Sequence, residues 1–126
     1  MKLCAILTLA LLVAASLPAI ATTHYVDVTG SGDYTEIKPA VNAAAEGDTI
    51  LIAPGTYTGA NNRSIDPNGK NLVIIGDSAR APVIIDPEFE SRAFQYLDGE
   101  DATSLLTGVT IVNAAFTQNG GAIGVN

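Results

Sequence analysis

The sequence predicts an all-β solenoid, a parallel β-helix with one amphipathic α-helix over its first coil. Two observations support this prediction: one helical pattern lies near the start, and six short apolar segments then follow with no second helical pattern between them. An open parallel sheet needs helical crossovers, whereas a coiled chain joins parallel strands through turns. Several segments are apolar throughout, as expected of strands covered on both faces. An antiparallel sandwich is the alternative.

Residues 1–21 have the layout of a secretory signal peptide. Lys2 supplies a positive start, residues 3–13 form an apolar core, and Ala19-Ile20-Ala21 provides small residues on both sides of a cleavage site after Ala21. The apolar stretch is shorter than the roughly 20 residues that a membrane-spanning helix needs. We therefore expect export to the periplasm, the cell surface or the medium, with no transmembrane segment after cleavage.

The composition of the mature chain excludes several kinds of chemistry. Cys4 is the only cysteine and lies in the leader, so the mature chain has neither a disulfide nor a thiolate. Loss of Lys2 leaves five basic side chains against 13 acidic ones, a formal net charge of about −8. Such a surface repels phosphate backbones, which argues against nucleic acid as a partner. Neutral sugars and divalent cations remain compatible with it.

A short strand and a helix are expected before the first coil. Residues 24–28 (HYVDV) alternate in the manner of a strand, and turn-forming residues follow. Ile37, Val41 and Ala44 then recur at i, i+4 and i+7, which is one face of a helix. Because this helix has only one apolar stripe, it must lie over another element. We predict that it covers the first coil.

The predicted helix has candidate boundary residues. Asp33 or Thr35 is expected to cap its start, and Gly47 to end it. Pro39 is compatible with a helix that begins near Thr35, because proline is tolerated in the first turn. The predicted division is therefore a leader at 1–21, a strand and capping helix at 22–48, and coils at 49–126.

Six candidate strands follow the helix, each β-branched or apolar and each followed by a turn-forming residue. They are TILIA (49–53), NLVII (71–75), PVIID (82–86), AFQYL (93–97), GVTIV (108–112) and GAIGV (121–125). Pro-Gly-Thr-Tyr at 54–57 is expected to turn the corner after the first of them. A repeat of this kind predicts coils that stack only on their neighbours.

The spacing of these segments suggests a repeat with a period of roughly 22 residues, within the range typical of solenoids. The same interval separates Ile50 from Leu72, Leu72 from Phe94, and Val83 from Leu105. At this period the mature chain holds roughly three coils, about the minimum for a stable solenoid. The last segment has no polar cap after it, so we expect this coil to associate with a partner or to continue into further coils.

Two segments resemble known β-helix proteins. GDYTEIKPAVNAAAEGDTILIAPGTY (32–57) resembles the N-terminal cap and first coil of the pectin lyase-like right-handed parallel β-helix superfamily, notably pectin methylesterases and bacterial β-helix repeat proteins. FTQNGGAI (116–123) is similar to the repeat of polymorphic outer-membrane proteins. The resemblance implies a right-handed coil and a secreted or surface location.

No catalytic residue carries over from that resemblance. Pectin methylesterases have G-x-Y-x-E after the first coil, whereas residues 55–59 read GTYTG, so the glutamate is absent. The segments that hold their catalytic aspartates have no counterpart, and neither do the motifs of polygalacturonases and pectate lyases. We therefore assign no catalytic or cofactor-binding residue.

Two acidic runs are candidate cation sites. Glu88 and Glu90 in DPEFE would lie on one side of an extended segment, and a solvated loop is the interpretation that we adopt instead. Asp98, Glu100 and Asp101 in DGED offer hard oxygen ligands to calcium, without the ligand periodicity of an established calcium loop. A charged corner is the alternative for this second run.

Three other residues have ordinary structural interpretations. His24 follows the cleavage site closely, and we interpret it as a mobile terminal residue and not as a base. Tyr57 is expected to pack at a corner and not to stack on a sugar. Asn62-Arg63-Ser64 matches the glycosylation sequon.

The leading functional hypothesis is an exported or cell-surface β-helix module with a structural or binding role, part of a longer protein. Its expected partners are carbohydrate or cell-surface components. The alternative is the N-terminal part of a polysaccharide lyase, hydrolase or esterase whose catalytic residues lie beyond Asn126. For this chain by itself we expect no cleavage of pectate, galacturonan or esters.

Overall fold

The protein is a β-solenoid of about four turns, as seen in a computed structural model that describes residues 17–115 and 121–125. The core of the predicted leader and residues 116–120 of the FTQNGGAI segment lie outside these ranges. Within them the strands are β1 (Thr23–Val26), β2 (Thr49–Ile52), β3 (Gly55–Tyr57), β4 (Val73–Gly76), β5 (Val83–Ile85), β6 (Phe94–Tyr96), β7 (Leu105–Thr107), β8 (Thr110–Ile111) and β9 (Ile123–Val125). One helix, α1 (Ile37–Ala43), and a 3-10 turn at Ala60–Asn62 complete the described elements.

The strands form three sheets in which every pairing is parallel. The strand orders are β1-β2-β4-β7, β3-β5-β8 and β6-β9. β1 adds a strand to the first sheet only. The first complete coil contributes β2, β3 and, in the third sheet, only Ile65, through a bridge to Phe94; each later coil adds one strand to every sheet. The prediction of parallel stacked coils is confirmed, and the antiparallel sandwich is excluded for the described strands.

The constant period predicted from the sequence is wrong. Ile50 is in register with Ile74 and not with Leu72. Phe94 belongs to a different sheet from β4, and Val83 pairs with the start of β3. Neighbouring coils differ in length because the loops at their corners differ, so equivalent positions do not recur at one interval. The strands themselves lie close to where their composition places them.

The segment after β2, which was expected to turn a corner, also forms a strand. Gly55–Tyr57 forms β3, the first strand of the second sheet. The Tyr57 side chain is fully buried, and its hydroxyl donates to the carbonyl of Ala53 at 2.8 Å. Tyr57 was expected to pack at a corner; it does pack, but in the core and as part of a strand.

A continuous apolar core fills the solenoid. Side chains along each strand alternate between the interior and the surface, so Ile50 and Ile52 of β2 are buried and Ile50 stacks on Ile74 of β4. On the outer face of this sheet Tyr25 is 52% exposed. The interior stacking of β-branched residues from successive coils is the main source of stability, at about 1.5–3 kcal/mol for each fully buried side chain.

Helix α1 packs its apolar stripe on the same core. Ile37, Ala40, Val41 and the flanking Ala44 are buried, as the i, i+4, i+7 pattern predicts. Pro39 lies in the first turn, where proline is tolerated. No helix in residues 17–115 or 121–125 is long and apolar enough to cross a membrane.

The start of the helix is capped by a side chain from the following coil and not by its own flanking residues. Glu36 occupies the N-cap position, and its side chain makes no capping hydrogen bond to the helix, so the predicted caps Asp33 and Thr35 are wrong. Instead Oδ1 of Asn62 accepts a hydrogen bond from the N–H of Ile37 at 2.9 Å. The amide of Asn62 also donates to the carbonyl of Thr58 at 2.7 Å.

The C-terminal end of α1 is held in a similar way. Nζ of Lys70 donates to the carbonyls of Val41 and Ala44 at 2.7 and 2.8 Å. These carbonyls lie at the negative end of the helix, where a cation is favourable. Asn62 and Lys70 therefore clamp both ends of α1 to one coil.

Asn62→Ala is expected to destabilise the protein by about 1–3 kcal/mol, because it removes two hydrogen bonds from a residue that is 3% exposed. Its neighbour supplies a matched control: Asn61 is exposed and makes one hydrogen bond, to Glu36, so Asn61→Ala should change stability by less than about 0.5 kcal/mol. Urea unfolding of both variants measures the difference. Equal effects would contradict the role of Asn62 as a cap.

Burial of Asn62 also makes the Asn62-Arg63-Ser64 sequon a poor glycosylation acceptor in the folded protein.

The two ends of the solenoid differ in how their strand edges are covered. At the N-terminal end, residues 32–34 cover the outer edge of β1. The backbone N–H of Tyr34 donates to the carbonyl of Tyr25 at 3.0 Å, and the Tyr34 carbonyl accepts from the N–H of Asp27 at 2.8 Å. At the other end β7, β8 and β9 each pair with a single strand among the described residues. Leu105 and Val125 are 47% and 77% exposed there.

Candidate binding cleft

A cleft of about 260 Å³ with a mixed polar and apolar lining lies on the outer side of the third sheet. It is lined by Ser64, Phe89, Glu90, Ser91, Arg92, Gln95 and Ala115. These residues come from the first coil, from the loop between β5 and β6, from β6 itself and from the segment after β8. The winding of the chain therefore assembles the cleft from stretches that are distant in the sequence.

The loop that precedes β6 projects an aromatic ring beside this cleft. Glu88 and Phe89 both adopt left-handed backbone conformations, with φ of 58° and 60°. Non-glycine residues in this region cost about 1–3 kcal/mol each, and such strain concentrates at functional sites. Phe89 is 69% exposed, so its ring is open to a ligand from solvent.

The surrounding coil holds this loop in place. Oε2 of Glu88 accepts from the N–H of Gly59 at 2.9 Å and lies 3.2 Å from Nη1 of Arg63. The N–H of Phe89 donates to the carbonyl of Asn113 at 2.7 Å. Two other stretches of chain, residues 59–63 and Asn113, therefore hold the backbone of the loop from which the Phe89 ring projects.

The floor of the cleft carries hydroxyl and amide groups. Oγ of Ser64 donates to Oγ of Ser91 at 3.0 Å, and Oγ of Ser91 donates to the carbonyl of Arg92 at 3.0 Å. Nε2 of Gln95 donates to Oδ2 of Asp66 at 3.1 Å, which orients the Gln95 amide. The Arg92 guanidinium lies over the backbone of Gly124, where any larger side chain would overlap it.

This arrangement suits recognition more than catalysis. An exposed aromatic face offers apolar contact, and serine, glutamine, glutamate and arginine side chains around it offer donors and acceptors in different directions. Such a set fits a ligand that has both apolar C–H faces and many hydroxyl groups.

The first acidic run does not form the pair that its alternate spacing suggested. The segment is not extended, since Glu88 and Phe89 turn the chain, and Glu88 points toward Gly59 while Glu90 lines the cleft. The interpretation as a loop is correct, but the sequence did not indicate that the loop presents Phe89.

The calcium candidates form a hydrogen-bonded corner. The two carboxylate oxygens of Glu100 accept from the N–H groups of Gly69 and Asp98, at 2.9 and 3.1 Å. Oδ1 of Asp101 accepts from both the N–H and the hydroxyl of Thr103, and these bonds lower the pKa of Asp101. Among the described residues no three acidic, His or Cys side chains come together as a metal site. Calcium binding at Asp98, Glu100 and Asp101 stays a prediction without support from this geometry.

His24 is not a mobile terminal residue, so that interpretation is wrong. It lies in β1 with its side chain 15% exposed, and its Nε2 is 2.9 Å from Oδ2 of Asp48. Asp48 is 5% exposed and accepts from the N–H groups of Thr22 and Ala45, both at 2.8 Å. No local sequence pattern predicted this cluster. His24 is the single histidine, Asp48 follows a glycine in a turn, and only the pairing of β1 with β2 brings the two side chains together.

These contacts stabilise the ionised form of the Asp48 carboxyl group. The N–H of Thr22, the His24 side chain and the N–H of Ala45, in that order of importance, lower the pKa of Asp48 to about 2 from an ordinary value of 3.8. A lowered folded-state pKa means that the contribution of Asp48 to stability is complete above pH 4 and is lost as the pH falls toward 2.

Acid unfolding provides a test of this cluster. We expect Asp48→Asn to reduce stability at neutral pH and to weaken the dependence of the free energy of unfolding on pH between about 4 and 2. Asp77→Asn, at an exposed position, controls for the loss of one negative charge. Urea titrations at half-unit pH steps measure both. An unchanged slope in Asp48→Asn would contradict the assignment.

Comparison with protein-family models, with curated proteins and with solved structures finds no match to this chain. The structure shows a parallel β-solenoid, and membership of the pectin lyase-like superfamily stays a prediction.

Proposed function

We propose that this chain is the N-terminal part of an exported, right-handed parallel β-helix that binds carbohydrate through the cleft beside Phe89. In this proposal α1 is the cap of the first coil and the leader directs export. The observation on which the binding role rests is the exposed, conformationally strained Phe89 at a cleft that several polar side chains line.

The composition of the cleft favours a neutral, hydroxyl-rich saccharide. A sugar ring stacks its C–H face on an aromatic side chain and directs its hydroxyls to donors and acceptors nearby, which Ser91 and Gln95 provide. The net charge of about −8 on the mature chain disfavours a polyanionic ligand. Glu90 adds a further negative charge at the rim of the cleft.

The capping role of α1 is supported by its two clamps and by the covered edge of β1. Asn62 and Lys70 tie the helix to the coil beneath it, and residues 32–34 occupy the strand edge that faces away from the stack. Residues 32–34 thereby block the addition of a strand to β1, which favours growth of the solenoid beyond β7, β8 and β9.

The opposite end favours continuation into further coils. The cavity at that end, about 270 Å³, is lined by Tyr96, Leu106, Ile123 and Val125 together with polar residues. The Tyr96 hydroxyl is buried and has no hydrogen-bond partner there among the described residues. A further coil would cover these side chains and could supply a partner to the hydroxyl.

Binding to a panel of immobilised neutral and acidic glycans tests the carbohydrate proposal. We expect the purified chain from Thr22 to bind a neutral member of the panel, and Phe89→Ala to weaken that binding at least tenfold. One stacked aromatic contributes about 0.5–1.5 kcal/mol beyond its buried area, so the total loss exceeds the roughly 1.4 kcal/mol that corresponds to tenfold. Tyr25→Ala is the matched control, since Tyr25 is a comparably exposed aromatic on another sheet.

Three outcomes would contradict the proposal. They are no binding to any glycan, equal losses in Phe89→Ala and Tyr25→Ala, and binding restricted to polyanions. Cleavage of galacturonan or of an ester by the purified chain would instead favour the enzyme alternative.

A further inference from the structure

The residue after the predicted cleavage site is already bound to a carboxylate. The backbone nitrogen of Thr22 donates to Oδ1 of Asp48 at 2.8 Å, and the carbonyl of Thr22 accepts from the N–H of Thr49 at 2.9 Å. Thr22 is therefore held from both sides by the start of β2. The described residues before it lack regular structure, and Leu17 and Ile20 are 87% and 89% exposed.

We propose that Asp48 is the receptor for the new amino terminus: cleavage after Ala21 converts the Thr22 nitrogen into an ammonium group that forms an ion pair with Asp48 and locks the mature chain onto its first coil. The inference rests on the export part of the proposed function and is independent of carbohydrate binding.

The chemistry of this step is ordinary peptide hydrolysis by a leader-removing endopeptidase. Water adds across the Ala21–Thr22 amide, the C–N bond breaks, Ala21 leaves as a carboxylate, and the Thr22 amine takes up a proton near neutral pH. A neutral N–H donor thereby becomes a cationic donor at the same position. Before cleavage only the acceptor, the Asp48 carboxylate, is ionised; after cleavage the donor carries the opposite charge, which adds a Coulomb attraction to the existing hydrogen bond.

The surroundings of Asp48 suit a cation. Its side chain is largely buried, and no Lys or Arg pairs with it among the described residues. Oδ2 is occupied by the His24 ring and the N–H of Ala45, which leaves Oδ1 directed at Thr22.

The other charged or titratable groups of this region have different contacts. The ring of Tyr34 lies against that of His24, with centroids 6.0 Å apart. Glu46 accepts from Asn71, and Lys70 donates to the last carbonyls of α1. Because no Lys or Arg of the described residues pairs with Asp48, the Thr22 ammonium would be its main cationic partner.

A double-mutant cycle on the amino terminus and Asp48 tests the proposal. Four proteins are compared: the chain that begins at Thr22 with a free amine, the chain that begins at Leu17, and Asp48→Asn in each. We expect the free Thr22 amine to raise the Tm by about 4 °C or more over the longer chain at pH 6.5, and Asp48→Asn to abolish that difference.

The pH dependence of the difference gives a second readout. Because the α-amino group gains an anionic partner on folding, its folded pKa lies above the unfolded value of about 8. The stabilisation is then complete below pH 8 and is lost as the pH rises through the folded pKa. Acylation of the Thr22 amine at pH 7 should also be several-fold slower in the native protein than in Asp48→Asn. If Asp48→Asn does not fold, the rate for the unfolded chain in urea replaces it as the reference.

The outcomes separate this inference from the proposal of export. N-terminal sequencing of protein secreted from cells is expected to yield Thr-Thr-His-Tyr-Val, and another start would contradict processing after Ala21. Equal Tm values for the chains from Thr22 and Leu17, or a difference that survives in Asp48→Asn, would contradict the ion pair even if sequencing finds Thr22.

Discussion

Phe94→Ala is expected to destabilise the solenoid by about 3–5 kcal/mol, the cost typical of removing a buried aromatic ring from a core. Phe94 is fully buried in β6, in register with Ile123 of β9 and bridged to Ile65 of the first coil. Its ring also stacks near that of Tyr96, with centroids 6.4 Å apart. Phe94 therefore lies between the coils on either side of it, and its loss leaves a cavity that neither can fill alone.

Phe89→Ala is the matched control for this experiment, because it removes the same ring from a position that is 69% exposed. It should change the free energy of unfolding by about 0.5 kcal/mol or less. Urea unfolding of the wild type and of both variants measures the contrast. Equal m-values would indicate that all three unfold in the same two-state manner. Similar losses in the two variants would contradict the assignment of Phe94 to the core.

Gly76→Ala should be comparably severe for a different physical reason. Gly76 ends β4, and a Cβ atom there would overlap the carbonyl group of Gly108 in the next coil. Gly108 has φ of 72°, a conformation that favours glycine. Because the obstructing atoms belong to the backbone, no side-chain rotation relieves the overlap, and we expect a loss of about 3 kcal/mol or more.

Gly121→Ala is the control for Gly76→Ala, since an added Cβ at Gly121 meets no atom of the described residues within 4 Å. It should leave the Tm within about 2 °C of the wild type. Thermal unfolding followed by circular dichroism compares the two. A stable Gly76→Ala protein would mean that neighbouring coils are not in direct backbone contact at this corner.

The parts of the fold that sequence patterns predicted are those that depend on local composition. The apolar stripe of Ile37, Val41 and Ala44 predicts the helix, and the β-branched run of residues 49–53 predicts β2, because burial selects for these side chains along a few consecutive turns or residues.

The caps and the coil length depend instead on contacts between distant residues. Asn62 lies 25 residues from the N–H that it caps, and Lys70 lies 29 residues from the Val41 carbonyl. Neither has a local sequence signature. The coil length was missed for a related reason, since the loops at the corners vary without changing the register of the strands.

The cleft and the Asp48 cluster were missed because stacking creates them. Phe89 is one aromatic residue in an acidic loop, and only the contacts of Glu88 with Gly59 and of the Phe89 N–H with Asn113 show how the backbone of this loop is held. Asp48 follows a glycine that ends the helical pattern, which suggested a turn and not a partner for the residues of β1.

The parallel register of neighbouring coils is the claim on which the cleft, the clamps and the covered edge all depend. Paired cysteines test it directly, because residues 22–126 contain no cysteine. Thr56 is in register with Ile84, and Ile84 with Thr110, on the outer face of the second sheet. Adjacent strands lie about 4.8 Å apart, within the range of Cα separations that a disulfide spans, whereas Thr56 and Thr110 are two strands apart at about 9.6 Å.

Disulfide formation in three double-cysteine variants, measured by mass spectrometry under mild oxidation, therefore gives the decisive comparison. We predict that Thr56→Cys with Ile84→Cys, and Ile84→Cys with Thr110→Cys, form intramolecular disulfides, and that Thr56→Cys with Thr110→Cys does not. Failure of both adjacent pairs, or a bridge between positions 56 and 110, would contradict the stacked parallel coils.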